Sequence, residues 1–219
     1  MLIAIDGACK RNGDPTCSSA GVAWIETEAG EFVYKAKFET GSTSQRGEVN
    51  GLLVALKYAV ENASPEEDII IVTDSEYLYN TVTLEWVKKW QANNWTGATG
   101  KVKNSDLWAI AWNYLTNLNR QQERVFMQWT KGHLIHYTPG NIKQAMRDDP
   151  LGIELYTRIS SIANRGSERS RIIKDFIRER SEHDKESPPD DIALEWVISN
   201  TVADCLATYI VQAMDNLIV

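Results

Sequence analysis

Residues 68–77 read Asp-Ile-Ile-Ile-Val-Thr-Asp-Ser-Glu-Tyr, and this stretch constrains the chain more than any other. Four consecutive β-branched residues, Ile69 to Val72, favour a strand. A run with no polar alternation predicts one buried on both faces, inside a mixed α/β sheet. Asp74 stands where the strand stops and a helix can begin. Function in open α/β sheets gathers at strand ends, so Asp74 is a candidate functional carboxylate. The competing reading is a helix N-cap, a position that Asp and Ser both favour.

The flanking sequence supplies the rest of such a sheet. Leu2 to Cys9, Ser19 to Glu26 and Glu31 to Glu39 read as three strands joined by short polar turns, an antiparallel meander. Val49, Leu52, Leu53, Leu56 and Val60 recur at helical spacing and predict a helix over 45–60. Glu48 lies near its start, where an acid ordinarily serves the helix dipole. One or two helical turns and a second helix follow the central strand. Residues 86–103 then carry Lys88, Lys89, Lys101 and Lys103 with no acid, interleaved with Trp86, Trp90 and Trp95. Such a stretch suits phosphate contact with aromatic packing on sugar or base. Its structural alternative is core tryptophans with solvated lysines. A helix over 105–120, capped by Asn104 or Ser105, and a last strand over 124–129 complete the pattern. Beyond it, 151–163 and 171–180 look helical and 182–191 reads as a charged linker. A final long helix capped by Asp190 or Asp191 runs through Met214.

Composition excludes little but is useful at three points. The net charge of −7 argues against a surface coated for nucleic-acid binding and leaves room for a local basic patch. Three cysteines, an odd number with no CxxC, predict a reducing compartment and no disulfide framework. The first residues lack the marks of a signal peptide, and Glu195, Asp204 and Asp215 interrupt the apolar segment 192–219. The expectation is a cytoplasmic protein with no membrane partner, a monomer being favoured.

Acids now stand at Asp6 in the first strand, Glu48 in the first helix, Asp74 after the central strand and Asp204 in the last helix. At this point the chain resembles the ribonuclease H family. The resemblance is carried by Ile5-Asp6-Gly7-Ala8-Cys9, Arg46-Gly47-Glu48 and Thr73-Asp74-Ser75-Glu76-Tyr77. It continues through the tryptophans up to Val102-Lys103-Asn104-Ser105-Asp106-Leu107-Trp108, then Trp129-Thr130-Lys131-Gly132-His133, and Asn200-Thr201-Val202-Ala203-Asp204-Cys205-Leu206-Ala207. It spans residues 2–133 and about 200–212. The fold it implies is α/β, a ribonuclease H-like mixed five-stranded sheet flanked by helices. The activity it implies is metal-dependent, endonucleolytic hydrolysis of the RNA strand of RNA–DNA hybrids.

Converging carboxylates repel one another and titrate high unless cations neutralise them, and hard oxygen ligands favour Mg²⁺, with Mn²⁺ as a substitute. By resemblance, Asp6, Glu48, Asp74 and Asp204 hold two such ions, with Asp6 shared between them. Glu48 also reads the ribose 2′-OH, which separates RNA from DNA, and His133 moves a proton or helps product leave. Substrate contacts are implied at Cys9, Asn12, Thr43, Ser44, Gln45, Trp86, Lys88, Lys89, Trp90 and Asn104.

Three departures stand out. Ser44 and Gln45 replace asparagines that touch RNA in many relatives, and Glu76 stands where some carry Gln. The third is length: His133 and Asp204 lie about 70 positions apart, far more than in bacterial members. The expected division is a catalytic domain of residues 1–136 and 199–219 with a helical insertion at 137–198. Its Arg158, Arg165, Arg169, Arg171, Arg178 and Arg180 can either meet phosphate or pair with acids at helical spacing on a solvated face. Two competing functions are a DNA or structure-specific nuclease on the same fold, which an all-DNA substrate would reveal, and a non-catalytic nucleic-acid-binding module, which would bind no metal.

Overall fold

The computed structural model describes residues 1–14 and 16–218. Strands β1 (Leu2–Lys10), β2 (Ser18–Glu26) and β3 (Phe32–Thr40) form the meander. Helix α1 (Ser44–Asn62) leads to β4 (Ile69–Thr73). Two short helices, α2 (Glu76–Thr83) and α3 (Trp86–Ala92), precede a small hairpin of β5 (Thr96–Gly97) and β6 (Gly100–Lys101). Then come α4 (Ser105–Leu118), β7 (Val125–Trp129), α5 (Pro139–Asp148), α6 (Ile153–Ala163), α7 (Gly166–Glu182) and α8 (Asp190–Ile218). The main sheet is five-stranded in the order β3-β2-β1-β4-β7, with β1 parallel to β4 and β4 parallel to β7. The architecture is the mixed sheet expected from the sequence.

Strand alternation divides the core into two layers. Ile3, Ile5, Ala23, Ile25, Ile69 and Ile71 face α1 and α4. Ala4, Val22, Trp24 and Val72 face the opposite side, where α8 and α5–α7 cover them through Leu155, Ile159, Ile172, Phe176, Trp196 and Leu206. The residues between β7 and α8 therefore share one apolar layer with the last helix. Helix α8 is continuous from Asp190, so the expected division at 198/199 falls within it.

Four local readings resolve here. Ser75, not Asp74, caps α2: its hydroxyl accepts from the Leu78 amide at 3.4 Å, which leaves the Asp74 carboxylate for other work. Cys9 and Cys17 are joined by a disulfide, against the expectation of none, with Cα atoms 6.7 Å apart. The β1–β2 register brings the strand ends together across the turn, a proximity that cysteine counting does not reveal. Arg158, Arg171 and Arg178 pair with acids at helical spacing, as a solvated face requires, while Arg169 pairs instead with Asp191 of α8. Arg180 does neither of the things expected of it: it is 4% exposed and donates to backbone carbonyls. Among the described residues no helix is long and apolar enough to cross a membrane.

Candidate active site

The site opens where the sheet comes apart. Strands β1 and β4 pair only from Leu2–Ile70 to Ala4–Val72; beyond that, β1 continues to Lys10 paired with β2 alone. Asp6 and Asp74 lie on the two banks of the resulting crevice, each one or two residues past the last paired position. Asp6 shares a strand face with Ala4, the side covered by α8, which brings Asp204 to it. Glu48 arrives from the second turn of α1. That helix packs tightly because Gly7 has no side chain: a Cβ there would lie 2.2 Å from the Glu48 amide nitrogen. The sequence motif Asp6-Gly7 thus sets a candidate ligand next to the contact that places a second one.

Ligand oxygens of Asp6, Glu48 and Asp74 lie within 4.8 Å of one another. Asp204 joins from the α8 side, near enough to Asp6 for its charge to push up the Asp6 carboxyl. Burial pushes the Asp6 carboxyl well above the usual carboxylate range, and the charges of Glu48, Asp74 and Asp204 push it further; the Gly7 amide opposes this in part. Glu48 is raised by burial and by Asp74 and Asp204. Asp74 and Asp204 are raised by burial and moderated by His133. One Glu48 oxygen, Oε2, is buried without a hydrogen-bond partner among the described residues. An all-oxygen donor set, mutually repelling and with an orphaned buried acceptor, fits hard divalent cations.

His133 follows β7 in the loop Thr130–Ile135. Its backbone is left-handed, φ 60°, and its Nδ1 lies 3.3 Å from Asp204 Oδ2 while the side chain stays largely exposed. Gly132 backs directly onto Asp74; a Cβ there would meet Oδ2 at 2.1 Å. The protein therefore brings together all five residues singled out for chemistry: Asp6, Glu48, Asp74, Asp204 and His133.

The expected substrate contacts fall into two groups. Asn12 and Ser44 are joined: the Asn12 amide donates to Ser44 Oγ at 3.2 Å, and the Ser44 amide donates to Asn12 Oδ1 at 3.3 Å. Thr43 caps α1, accepting from the Arg46 amide at 3.2 Å, with exposed Gln45 beside it. Cys9 is tied to Cys17. Trp86, Lys88, Lys89 and Trp90 belong to α3, where Trp90 packs edge-on against Trp108 of α4 at 6.0 Å. The two lysines stay exposed, Lys88 pairing with Glu85 at 2.8 Å. Asn104 is the N-cap residue of α4, in a left-handed conformation. An apolar groove lined by Val87, Trp112, Leu115 and Phe126 lies between α3, α4 and β7 and holds none of the carboxylates.

One site residue was not singled out from sequence. Asn200, 2% exposed, lies beside Asp74 and its side chain moderates the rise of that carboxyl. It precedes Asp204 by four positions, one helical turn on the same face, and that spacing was the available signal.

A family model described as RNase H matches residues 1–145. A ribonuclease HI from Synechocystis sp. is 31% identical over 76% of this chain and 93% of its own length. A ribonuclease H from Dichelobacter nodosus is 36% identical over 64% of this chain and 83% of its own. A solution structure of the PFV RNase H domain aligns at 18% identity with a TM-score of 0.48, covering 71% of this chain and 94% of that one.

Proposed function

The chain belongs to the ribonuclease H family, and from that premise and the carboxylate crevice we infer that it is a divalent-metal-dependent endonuclease that hydrolyses the RNA strand of RNA–DNA hybrids. The observation that carries this reading is the convergence of Asp6, Glu48 and Asp74 within 4.8 Å, with the charge of Asp204 beside them. Four acids, Asp6 buried and the others partly buried, are costly to hold together without counter-charge, so their assembly points to a function that supplies it.

In our reading these four side chains hold two Mg²⁺ ions, with Mn²⁺ as a substitute. When bound, such ions polarise the phosphodiester and lower the pKa of an attacking water. The protein's own residues do the rest. Asp6 is central to the cluster, facing the other three acids. Glu48 sits where a ribose 2′-OH can donate to it, which favours RNA over DNA at the cut strand. The close-packed Gly132 confines the Asp74 carboxylate. His133, exposed and 3.3 Å from Asp204, moves a proton between the site and solvent. Asn12, Thr43, Ser44 and Gln45 border the α1 end of the crevice and suit contact with the RNA backbone. Trp86, Lys88, Lys89, Trp90 and Asn104 form a separate handle that suits the DNA strand. Residues 137–189 are an accessory segment that completes the layer under α8, and the active unit is a monomer.

Cleavage of one labelled duplex prepared as RNA–DNA, RNA–RNA and DNA–DNA, with Mg²⁺ and then Mn²⁺, tests the reading. The expected result is cutting of the RNA strand of the hybrid alone. Cutting of DNA, or no cutting of any duplex, would overturn it.

A further inference from the structure

Helix α7 grips the chain that leaves β7. Near its C-terminal end, Arg180 donates through Nη1 to the carbonyl of Trp129 and through Nε, at 2.7 Å, to that of Glu186. Its guanidinium lies 5.5 Å from the ring centroids of both Phe176 and Trp196. Further back along the helix, Arg171 donates through Nη2 to the carbonyl of Leu134 at 2.8 Å. Glu168 and Asp175 flank that guanidinium and aim it. Between the two arginines, Glu179 Oε2 lies 3.6 Å from Lys131 Nζ. Just past the helix, His183 places its ring 4.7 Å from that of Trp129 and its Nε2 2.8 Å from Glu76. One helix thus holds Trp129, Lys131 and Leu134, both ends and the middle of the loop that carries His133.

Outside α7 the loop is held at its ends, where the Thr130 amide donates to the Thr73 carbonyl at 3.0 Å and Leu134 and Ile135 are buried, and by Gly132 packing on Asp74. His133 is a non-glycine residue in the left-handed region, a conformation that persists only where the surroundings over-determine it. Its side chain is largely exposed and makes one polar contact, to Asp204. Without the α7 contacts the span between those ends would be freer, and an imidazole on it would face Asp204 for a smaller fraction of the time.

We propose that α7 is a brace for residues 129–134 and that Arg171 and Arg180 are positioning residues which hold His133 against Asp204. The proposal rests on the reading of His133 as the proton-moving group. A brace predicts that an arginine acts through His133; a merely structural contact predicts that the two are independent.

The experiment uses the full chain, the labelled hybrid and Mg²⁺. Arg171→Met and Arg171→Lys are each made alone and with His133→Ala. Arg171→Met should lower kcat about tenfold, the scale expected when a reacting group is misplaced, with KM within about twofold. Arg171→Lys, which retains a donor for the Leu134 carbonyl, should recover most of the rate. In the His133→Ala background, Arg171→Met should cause no further loss. Losses that multiply in that background, or wild-type cleavage by Arg171→Met, would overturn the brace. Backbone order parameters at Lys131, Gly132 and His133 give a readout independent of activity. They should be near 0.85 in the wild type and fall below about 0.6 in Arg171→Met. A loop that stays rigid in the variant overturns the proposal. A wild type that cleaves no hybrid, with a loop that loosens in the variant, overturns the hydrolase reading and leaves the brace standing.

Discussion

Replacing Asp6 by Asn should stabilise the metal-free protein while abolishing cleavage. Asp6 is 6% exposed and feels the charges of Glu48, Asp74 and Asp204. Three of the ligand oxygens lie within 4.8 Å of one another. At an effective dielectric constant of about 20, two unit charges at that separation repel by roughly 3 kcal/mol. Protons taken up by the cluster, and water reaching Glu48 and Asp204, relieve part of this. Removing one charge should therefore gain about 1–3 kcal/mol, roughly 3–10 °C in Tm for a chain of this size. Asn keeps the shape and can still accept from the Gly7 amide. The sign with pH follows from the direction of the shift. A carboxyl whose pKa is raised by folding binds its proton more tightly in the folded chain. It favours folding below the ordinary carboxylate range and turns against it as pH rises through the raised value. The gain should be largest near pH 7–8 and vanish toward pH 4. Calorimetric melting of both proteins in EDTA across that range is the assay. Adding Mg²⁺ should reverse the order, because ligand binding stabilises the wild type by about 2.7 kcal/mol at a hundredfold excess over Kd and the variant by less. A variant no more stable than wild type in EDTA at pH 7.5, or a gain that persists unchanged at pH 4, would refute the reasoning.

Three further outcomes follow from particular contacts. Mg²⁺ binding should release protons and weaken as pH falls through the raised range of these carboxylates, because the ion competes with protons that Asp6 and Glu48 hold tightly; titration calorimetry in two buffers of different ionisation heat measures this, and identical heats would count against it. Arg180→Met should cost about 1–3 kcal/mol in urea denaturation, since it leaves the buried Trp129 carbonyl, and the part-buried Glu186 carbonyl, without their donor; a cost under about 0.5 kcal/mol would mean water replaces the guanidinium. Gly7→Ala should cost about 3 kcal/mol or prevent folding, because its methyl group would meet the backbone of α1 at Glu48; a urea midpoint like that of the wild type would show that α1 can retreat.

The sheet and the acids were legible because each rested on a local signal. The β-branched run at Ile69–Val72, the meander alternation and the motif around each carboxylate all lie within a few residues of one another in sequence. What stayed hidden depends on distant partners. Helix α5 was missed because only Ile142, Ala145 and Met146 among its polar residues are buried; the Pro139 at its first position was the signal overlooked. Helix α7 begins at Gly166, earlier than its apolar spacing from Ile172 suggests. The arginines of the accessory segment look alike in sequence, and the acids interspersed among them predict a solvated face for all of them. That holds for Arg158 and Arg178 and fails for Arg180, whose environment is set by Trp129, Phe176 and Trp196. The Cys9–Cys17 bond likewise needed the strand register.

The position of Asp204 within α8 has a consequence for how the molecule comes into being. Three of the four clustered acids are present once residue 74 has been made, and the fourth follows about 130 positions later. Ribosomes add about 5–20 residues per second, so roughly 6–26 seconds separate the two events. Through that interval the nascent chain carries three acids in an unfinished crevice. One sheet face, with Ala4, Val22, Trp24 and Val72, still lacks the helices that will cover it. The half-made protein thus carries both an incomplete acid cluster and an uncovered apolar face, and α8, docking with α5–α7, completes the one and covers the other.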